Sequence, residues 1–232
     1  MGVISDARTL MALARGAGGP GSHAERMARF YGPQARDYDR FRDRLLPGRR
    51  ELIRALSVEP GARVVELGGG TGRNAEFFGP SLNELARLDI VDICAPLIDV
   101  ARRRMARRTN VHCTVADATE WRPEEPVDAV YLSYALTMIP NWRGAIDNAV
   151  AMLRPGGLLG VVDFHVAPHH RRVERIFWPR WFAHDGVYLS EHYVPYLRWK
   201  TEEVLYDERR TRLPYLLGVT APYYRYIGHT RS

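Results

Sequence analysis

Short runs of β-branched and apolar residues punctuate the middle of the chain, each closed by an acidic or hydroxyl residue. They are Arg63-Val64-Val65-Glu66-Leu67, Leu88-Asp89-Ile90-Val91-Asp92-Ile93, Val111-His112-Cys113-Thr114-Val115, Val127-Asp128-Ala129-Val130-Tyr131-Leu132 and Leu158 to Phe164. Nearly continuous apolar runs of this length predict strands buried on both faces, as in a parallel sheet. Helical patterns fall between them, such as Pro96 to Arg108, and Leu153-Arg154-Pro155-Gly156-Gly157 reads as a helix exit and turn before the fifth strand. Thr201 to Tyr206 and Pro222 to Ile227 predict strands six and seven, the last antiparallel. The expected fold is α/β and Rossmann-like: a seven-stranded, mostly parallel sheet under an N-terminal helical lid.

The same patterning sets the expected organisation. Residues 1–21 read as a flexible extension ending in Gly-Ala-Gly-Gly-Pro-Gly, and 22–232 as one domain. Within it, 22–56 form a helical lid that starts at a Ser22/Glu25 capping box. A ligand-binding core spans 57–165, an insertion 166–199, and the last two strands 200–232. The insertion mixes arginines with Phe177, Trp178, Trp181 and Phe182, a composition that suits either a membrane interface or an inward-packed substrate lid.

Chemistry enters at the end of the first strand. Glu66-Leu67-Gly68-Gly69-Gly70-Thr71-Gly72 spaces its glycines one residue tighter than the dinucleotide fingerprint, and it places a carboxylate where a pyrophosphate would be repelled. A ligand with a cationic and a hydroxyl-bearing part fits better, which points to S-adenosyl-L-methionine. Asp92, ending the second strand, is placed to accept from ribose hydroxyls, and Asp117 after the third to take an adenine amino group. The expected cofactor set is Tyr38, Arg49, Glu66, Gly68, Gly70, Gly72, Asn74, Asp92, Ile93, Asp117, Ala118, Ser133 and Met138, with Tyr38 and Arg49 closing over the methionine end.

Bulk properties narrow the classes. The net charge of +6 comes from an arginine excess, which suits an anionic partner such as an acidic lipid surface and also follows from a GC-rich coding sequence. The five arginines of 102–108 read either as a solvated face or as a headgroup surface. The sequence contains no run of eighteen apolar residues and no signal-peptide pattern, so the expected location is the cytoplasm, with peripheral contact at the inner membrane face. Cys94 and Cys113 are expected as buried core residues on neighbouring strands, not as a disulfide. No metal site is expected, because Pro168 breaks any helix that would align His165 with His169.

The chain resembles the class I S-adenosylmethionine-dependent methyltransferases in these core motifs. In Ser22 to Tyr31, Ser133-Tyr134-Ala135-Leu136-Thr137-Met138-Ile139-Pro140-Asn141-Trp142 and Val162-Asp163-Phe164-His165, it resembles the betaine-lipid N-methyltransferases. Val91 to Leu97 and Ala221-Pro222-Tyr223-Tyr224 are similar to the methyltransferase half of the eukaryotic betaine lipid synthase. The likeness spans about 22–228. It implies an N-methyltransferase that converts diacylglyceryl-homoserine to its trimethyl betaine lipid.

That chemistry makes His165 the candidate proton acceptor, although a hydrogen-bonding structural histidine is the somewhat better reading there. Tyr134 would be an aromatic face for the methylated ammonium, ahead of Tyr188, Tyr223 and Tyr224. Arg180, Arg198 or Arg225 would hold the substrate carboxylate. The alternatives are a small-molecule N- or O-methyltransferase of secondary metabolism and a phosphatidylethanolamine N-methyltransferase. No nucleic-acid partner is expected, since the Asn-Pro-Pro-Tyr type of motif is replaced by Ser133-Tyr134. Oligomeric state is left open.

Overall fold

The computed structural model describes residues 21–32, 38–184, 186–213 and 218–231. The expectations for residues 1–20 and for the Tyr38 side chain lie outside the described residues. Among the described residues three helices come first: α1 (His23–Tyr31), α2 (Tyr38–Leu45) and α3 (Arg49–Leu56). Ser22 caps α1 as expected: its hydroxyl accepts from the Glu25 amide while the Glu25 carboxylate accepts from the Ser22 amide.

The core then alternates β1 (Arg63–Leu67), β2 (Arg87–Asp92), α4 (Ala95–Met105), β3 (Val111–Val115), β4 (Val127–Ser133), α5 (Trp142–Met152) and β5 (Leu153–Phe164). After α6 (Arg172–Ala183) and α7 (Tyr193–Lys200) come β6 (Glu202–Arg212) and β7 (Thr220–His229). The seven strands lie in the order β3-β2-β1-β4-β5-β7-β6, and β7 alone runs against its neighbours. Strand order reverses between β1 and β4, so the crevice beyond their carboxyl ends is the place for a ligand in an open α/β sheet.

Three local departures from the sequence pattern have physical causes. The segment after the glycine turn is a 3-10 helix (Arg73–Asn83), and Gly79 (φ 61°) followed by Pro80 breaks its hydrogen-bond ladder before an α-helix can propagate. β5 starts directly at Leu153, because Gly156 at φ 75° lets the chain bulge while Val127 pairs with Leu153 and Ala129 with Leu158. Cys94 is not on a strand. It is the buried N-cap of α4, while Cys113 pairs with Ile90 across β2–β3, and both are free thiols.

Both sheet faces are covered. Leu52 and Leu56 of α3 and Trp178 and Phe182 of α6 pack with Val64, Tyr131 and Val162 on one side. Ile146 of α5 and Tyr193 and Leu197 of α7 pack with Val65, Leu132, Tyr224 and Tyr226 on the other. α1 lays Met27, Phe30 and Tyr31 on Cys94 and Leu97 of α4. No described helix is long and apolar enough to cross a membrane.

Candidate active site

Beyond β1 the backbone must turn sharply without side chains. Gly68 (φ 72°) and Gly70 (φ 54°) adopt left-handed conformations, and a Cβ on Gly68 would stand 2.3 Å from the Cβ of Ala135. The turn is held by the end of β2. Asp92 accepts from the Gly70 amide through Oδ2 and from the Cys94 amide through Oδ1, both at 2.8 Å. Burial pushes its carboxyl up against those two bonds. Each oxygen keeps a lone pair for a further donor.

Above the turn lies a cavity of about 240 Å³ lined by the glycine loop, β2, the loop after β3, the end of β4 and the lid. It brings together Arg49, Gly68, Gly70, Asn74, Asp92, Ile93, Asp117, Ala118, Ser133, Tyr134 and Met138 from the expected set. Asp117 is oriented by a local turn, with Oδ1 accepting from the Thr119 amide at 2.8 Å and the Thr119 hydroxyl at 2.7 Å. Ser133 Oγ is buried without a hydrogen-bond partner on the cavity wall. Carboxylates ending β2 and following β3, an unpaired hydroxyl at β4 and a glycine turn that admits no Cβ fit an adenosine bearing a methionine chain.

Two expected residues sit behind the wall. Gly72 (φ 68°) lies against Ala101 of α4, where a Cβ would come within 3.2 Å. Glu66 is fully buried, its Oε1 accepting from Asn74 Nδ2 at 2.6 Å, and burial pushes its carboxyl up to about 7. It acts through Asn74, whose Oδ1 accepts from Arg49 Nη1 at 3.1 Å. Arg49 in turn donates to the Leu46 carbonyl (2.8 Å) and to Asp43 of α2 (2.7 Å). A polar chain thus runs from the foot of the glycine loop into the lid.

A second clasp was not read from the sequence. Asp39 of α2 accepts from the Thr71 hydroxyl at 2.6 Å and pairs with Arg104, which also donates to the Thr71 carbonyl at 2.7 Å. Arg104 therefore faces the glycine loop and not a headgroup surface, and Arg102 pairs with Asp99. Thr71, Asp39, Tyr31, Cys94 and Thr119 also line the cavity. Thr71 sits inside the motif, and Asp39 adjoins Tyr38 in the resembling stretch, so both had a signal that spacing alone did not rank.

Tyr134 follows β4 at φ 53°, a left-handed conformation that costs a non-glycine residue about 1–3 kcal/mol and is common at functional sites. Its amide donates to the Val162 carbonyl and its hydroxyl to the Pro47 carbonyl, both at 2.8 Å, so the ring forms the wall while the hydroxyl ties down the lid. Burial raises its pKa well above the ordinary value, which leaves the phenol neutral. Tyr31 donates to Met138 Sδ at 3.0 Å.

His165 does not reach the cavity. Its ring is buried beside His170, Tyr206 and Glu208, and burial pushes its pKa down to about 4. The imidazole that does line the cavity is His23, set beside Asp117. The candidate carboxylate partners also lie elsewhere: Arg198 pairs with Glu203, Arg225 with Asp207, and Arg180 caps the Ile176 carbonyl on α6. Tyr224 is buried in the core, and Tyr188 is exposed. His165, His170 and Glu208 lie close enough together that one ligand atom from each could share an ion.

Comparison with known proteins gives this geometry its class. Residues 36–199 match the methyltransferase-domain family. The chain therefore belongs to that family, as a class I S-adenosylmethionine-dependent methyltransferase. It is similar to a demethylmenaquinone methyltransferase of Tropheryma whipplei, 27% identical over 170 residues that cover 69% of this chain and 70% of that protein. It is also similar to a ubiquinone/menaquinone biosynthesis C-methyltransferase of Hydrogenovibrio crunogenus, 29% identical over 120 residues, 50% of this chain and 47% of the relative. Among solved structures the fold is similar to phosphoethanolamine N-methyltransferase 2 of Haemonchus contortus, with TM-score 0.74, 14% identity and coverage of 92% of this chain and 61% of that one. It is similar as well to the N-methyltransferase NodS of Bradyrhizobium japonicum in complex with S-adenosyl-L-homocysteine, with TM-score 0.61, 20% identity and coverage of 79% and 86%.

Proposed function

We propose that this enzyme N-methylates an amine-bearing lipid headgroup at a membrane surface, with diacylglyceryl-homoserine as the acceptor. The observation that carries the reading is a continuous file of aromatic rings from the cavity wall to the outside. Tyr134 meets Phe164 (centroids 5.0 Å), Phe164 meets Phe182 (4.5 Å) and Phe182 meets Trp178 (5.6 Å). Trp178 touches Phe177 (4.9 Å), which stacks on Trp181 (5.7 Å). α6 is therefore seated on the site through Trp178 and Phe182, while Val173, Ile176, Phe177 and Trp181 stay exposed beside Arg172 and Arg180. Rings at headgroup depth with arginines at phosphate level form an interfacial surface. In this reading the segment does both, packing inward through Trp178 and Phe182 and presenting a docking face.

In this reading Asp92 takes the ribose hydroxyls, Ile93 and Asp117 to Thr119 flank the adenine, and Gly68, Asn74 and Arg49 border the methionine end. The bound cofactor supplies an electrophilic methyl group for in-line displacement. The chain's own contribution is alignment and exclusion of water under α1 and α2. Burial favours the neutral, nucleophilic amine, so its proton leaves to water on entry and no strong base is required. The Tyr134 ring faces the product cation.

A second reading, C-methylation of a membrane quinone, is favoured by the demethylmenaquinone methyltransferase likeness. One assay separates them: transfer from labelled cofactor to mixed micelles of diacylglyceryl-homoserine, phosphatidylethanolamine or demethylmenaquinone, with mass analysis of the lipid. Mono-, di- and trimethylated homoserine lipid is expected. Label confined to the quinone would replace the first reading with the second, and label in neither the homoserine lipid nor the quinone would end both.

A further inference from the structure

Glu208 lies midway along β6, and its only described ion-pair partners are histidines. His165 follows β5, and His169 and His170 belong to the loop that enters α6. His170 Nε2 stands 2.6 Å from Glu208 Oε1, while His169 Nε2 and His165 Nε2 stand 3.0 and 3.3 Å from Oε2. The Tyr206 hydroxyl donates to the same oxygen at 3.2 Å. His165 and His170 are 3% and 8% exposed, so two of the imidazoles are buried against the half-buried carboxylate. One atom from each of His165, His170 and Glu208 lies within 4.8 Å of the other two.

Imidazole nitrogens with one carboxylate are the donor set of borderline divalent ions, zinc above all. Calcium would need six to eight oxygens, and copper(I) would want sulfur. We propose that His165, His170 and Glu208 bind a zinc-type divalent ion, with the exposed His169 closing the fourth position. Ligands at about 2.1 Å in a tetrahedron stand about 3.4 Å apart, so the 2.6 Å His170–Glu208 contact must open while separations of up to 4.8 Å close, shifts of about an ångström each. Binding has an identifiable opposing term. His170 Nδ1 accepts from the Ala167 amide at 3.2 Å, so ligation through Nε2 moves the ring proton to Nδ1 and breaks that bond.

None of the three ligands lines the cofactor cavity, so the ion is structural. It would tie the edge strand β6 to the loop that launches α6. The two are otherwise joined by the Glu174–Arg210 ion pair. A metal there fixes the direction in which the aromatic helix leaves the sheet.

The test uses untagged full-length protein, dialysed against chelator and titrated with zinc or cobalt(II) alone. One equivalent should bind, raise Tm, and give the visible absorption of a four-coordinate cobalt site. Glu208→Gln and His170→Ala should abolish all three signals, and His169→Ala, an exposed change that spares folding, should weaken binding by about tenfold or more. His192→Ala, an exposed histidine elsewhere, should change nothing. Absence of a Tm response and of a cobalt spectrum in the parent protein would overturn the site. So would stoichiometric binding that survives both Glu208→Gln and His170→Ala, and the cluster would then be a carboxylate satisfied by imidazole and phenol donors. If the two buried variants fail to fold, unchanged binding in His169→Ala also overturns the four-ligand assignment.

Discussion

The two ends of the sheet handle their carboxylates in different ways. Beyond β1 and β2 the acids are spread out, and each is met by backbone amides or a side-chain amide: Asp92 by Gly70 and Cys94, Glu66 by Asn74. Along the edge strand β6 they gather charged side chains from other elements: Glu208 takes three histidines, and Asp207 takes Arg225 of β7. Backbone amides are fixed by the fold itself, so the first arrangement makes a rigid cradle with lone pairs left for a ligand. Side-chain pairs fasten one element to another, so the second sets where α6 points. The difference separates the candidate cofactor cradle from the end of the sheet that positions α6.

The sharpest way to break that contrast is to add the same methyl group at each end. Gly68→Ala combines a left-handed backbone at φ 72° with a contact 2.3 Å from Ala135. The expected cost is about 3 kcal/mol, with cofactor binding lost alongside it. Gly156→Ala in the β5 bulge has a similar φ of 75° but nothing within 4 Å, and the cost falls to the backbone term of about 1 kcal/mol. Equal losses of stability in chemical denaturation would show that the glycine loop is not a tight cradle.

Next in size is the polar chain into the lid. Arg49→Met removes donors to Leu46, Asn74 and Asp43 at once. A loss of about 2–3 kcal/mol is expected, as for hydrogen bonds to charged groups. Calorimetric cofactor affinity should fall with it, because Asn74 and the lid lose their common anchor. Unchanged affinity would mean that the lid closes independently of this chain.

The legibility of the two ends follows the same physics. Strands β1, β2 and β4 announce themselves because their apolar runs are buried on both faces, and the glycine turn, Asp92, Asp117 and Ser133 are local in sequence. The seven strands and the antiparallel last one were readable on these grounds. Arg49 and Asn74 were named singly, but their connection through Glu66 depends on how α3 crosses the loop, which periodicity does not encode. The histidine cluster was dismissed because Pro168 rules out a helix, yet no helix is involved. The β7–β6 pairing carries Glu208 to histidines about forty positions away in the chain. The proton-acceptor reading of His165 failed for the same reason, since a residue at a strand end faces whichever neighbour the sheet order supplies.

Acid titration offers a smaller effect with a definite sign. Burial holds Glu66 at about 7 against an ordinary 4.5, and Asp163 at about 7 against 3.8. The folded protein binds both protons more tightly than the unfolded chain. Their contribution to stability is therefore full below the unfolded values and is lost as pH rises through about 7. Glu66→Gln keeps an acceptor for Asn74 and removes one of the two charges. Its gain over the parent protein should be larger at pH 8 than at pH 5 by about 2 kcal/mol, or about 5 °C in Tm. A gain of equal size at both pH values would mean that Glu66 is already ionised when folded.

The smallest effect on the fold is expected at the outer face of α6. Phe177 and Trp181 are 41% and 45% exposed, so replacing both with alanine removes little packing, and stability should stay within about 0.5 kcal/mol. Association with anionic vesicles should nevertheless fall by about tenfold or more. Sinking two half-exposed rings into an interface is worth about 2 kcal/mol at roughly 25 cal/mol per Å². Trp178→Ala, two per cent exposed and packed on Phe182, reverses the pattern: it destabilises by about 3 kcal/mol or more while leaving the docking residues in the sequence. Flotation of the Phe177→Ala/Trp181→Ala protein with vesicles as efficiently as the parent would remove the membrane from the argument. α6 would then be a packed cover for the acceptor pocket, and the choice among substrates would turn on small soluble amines.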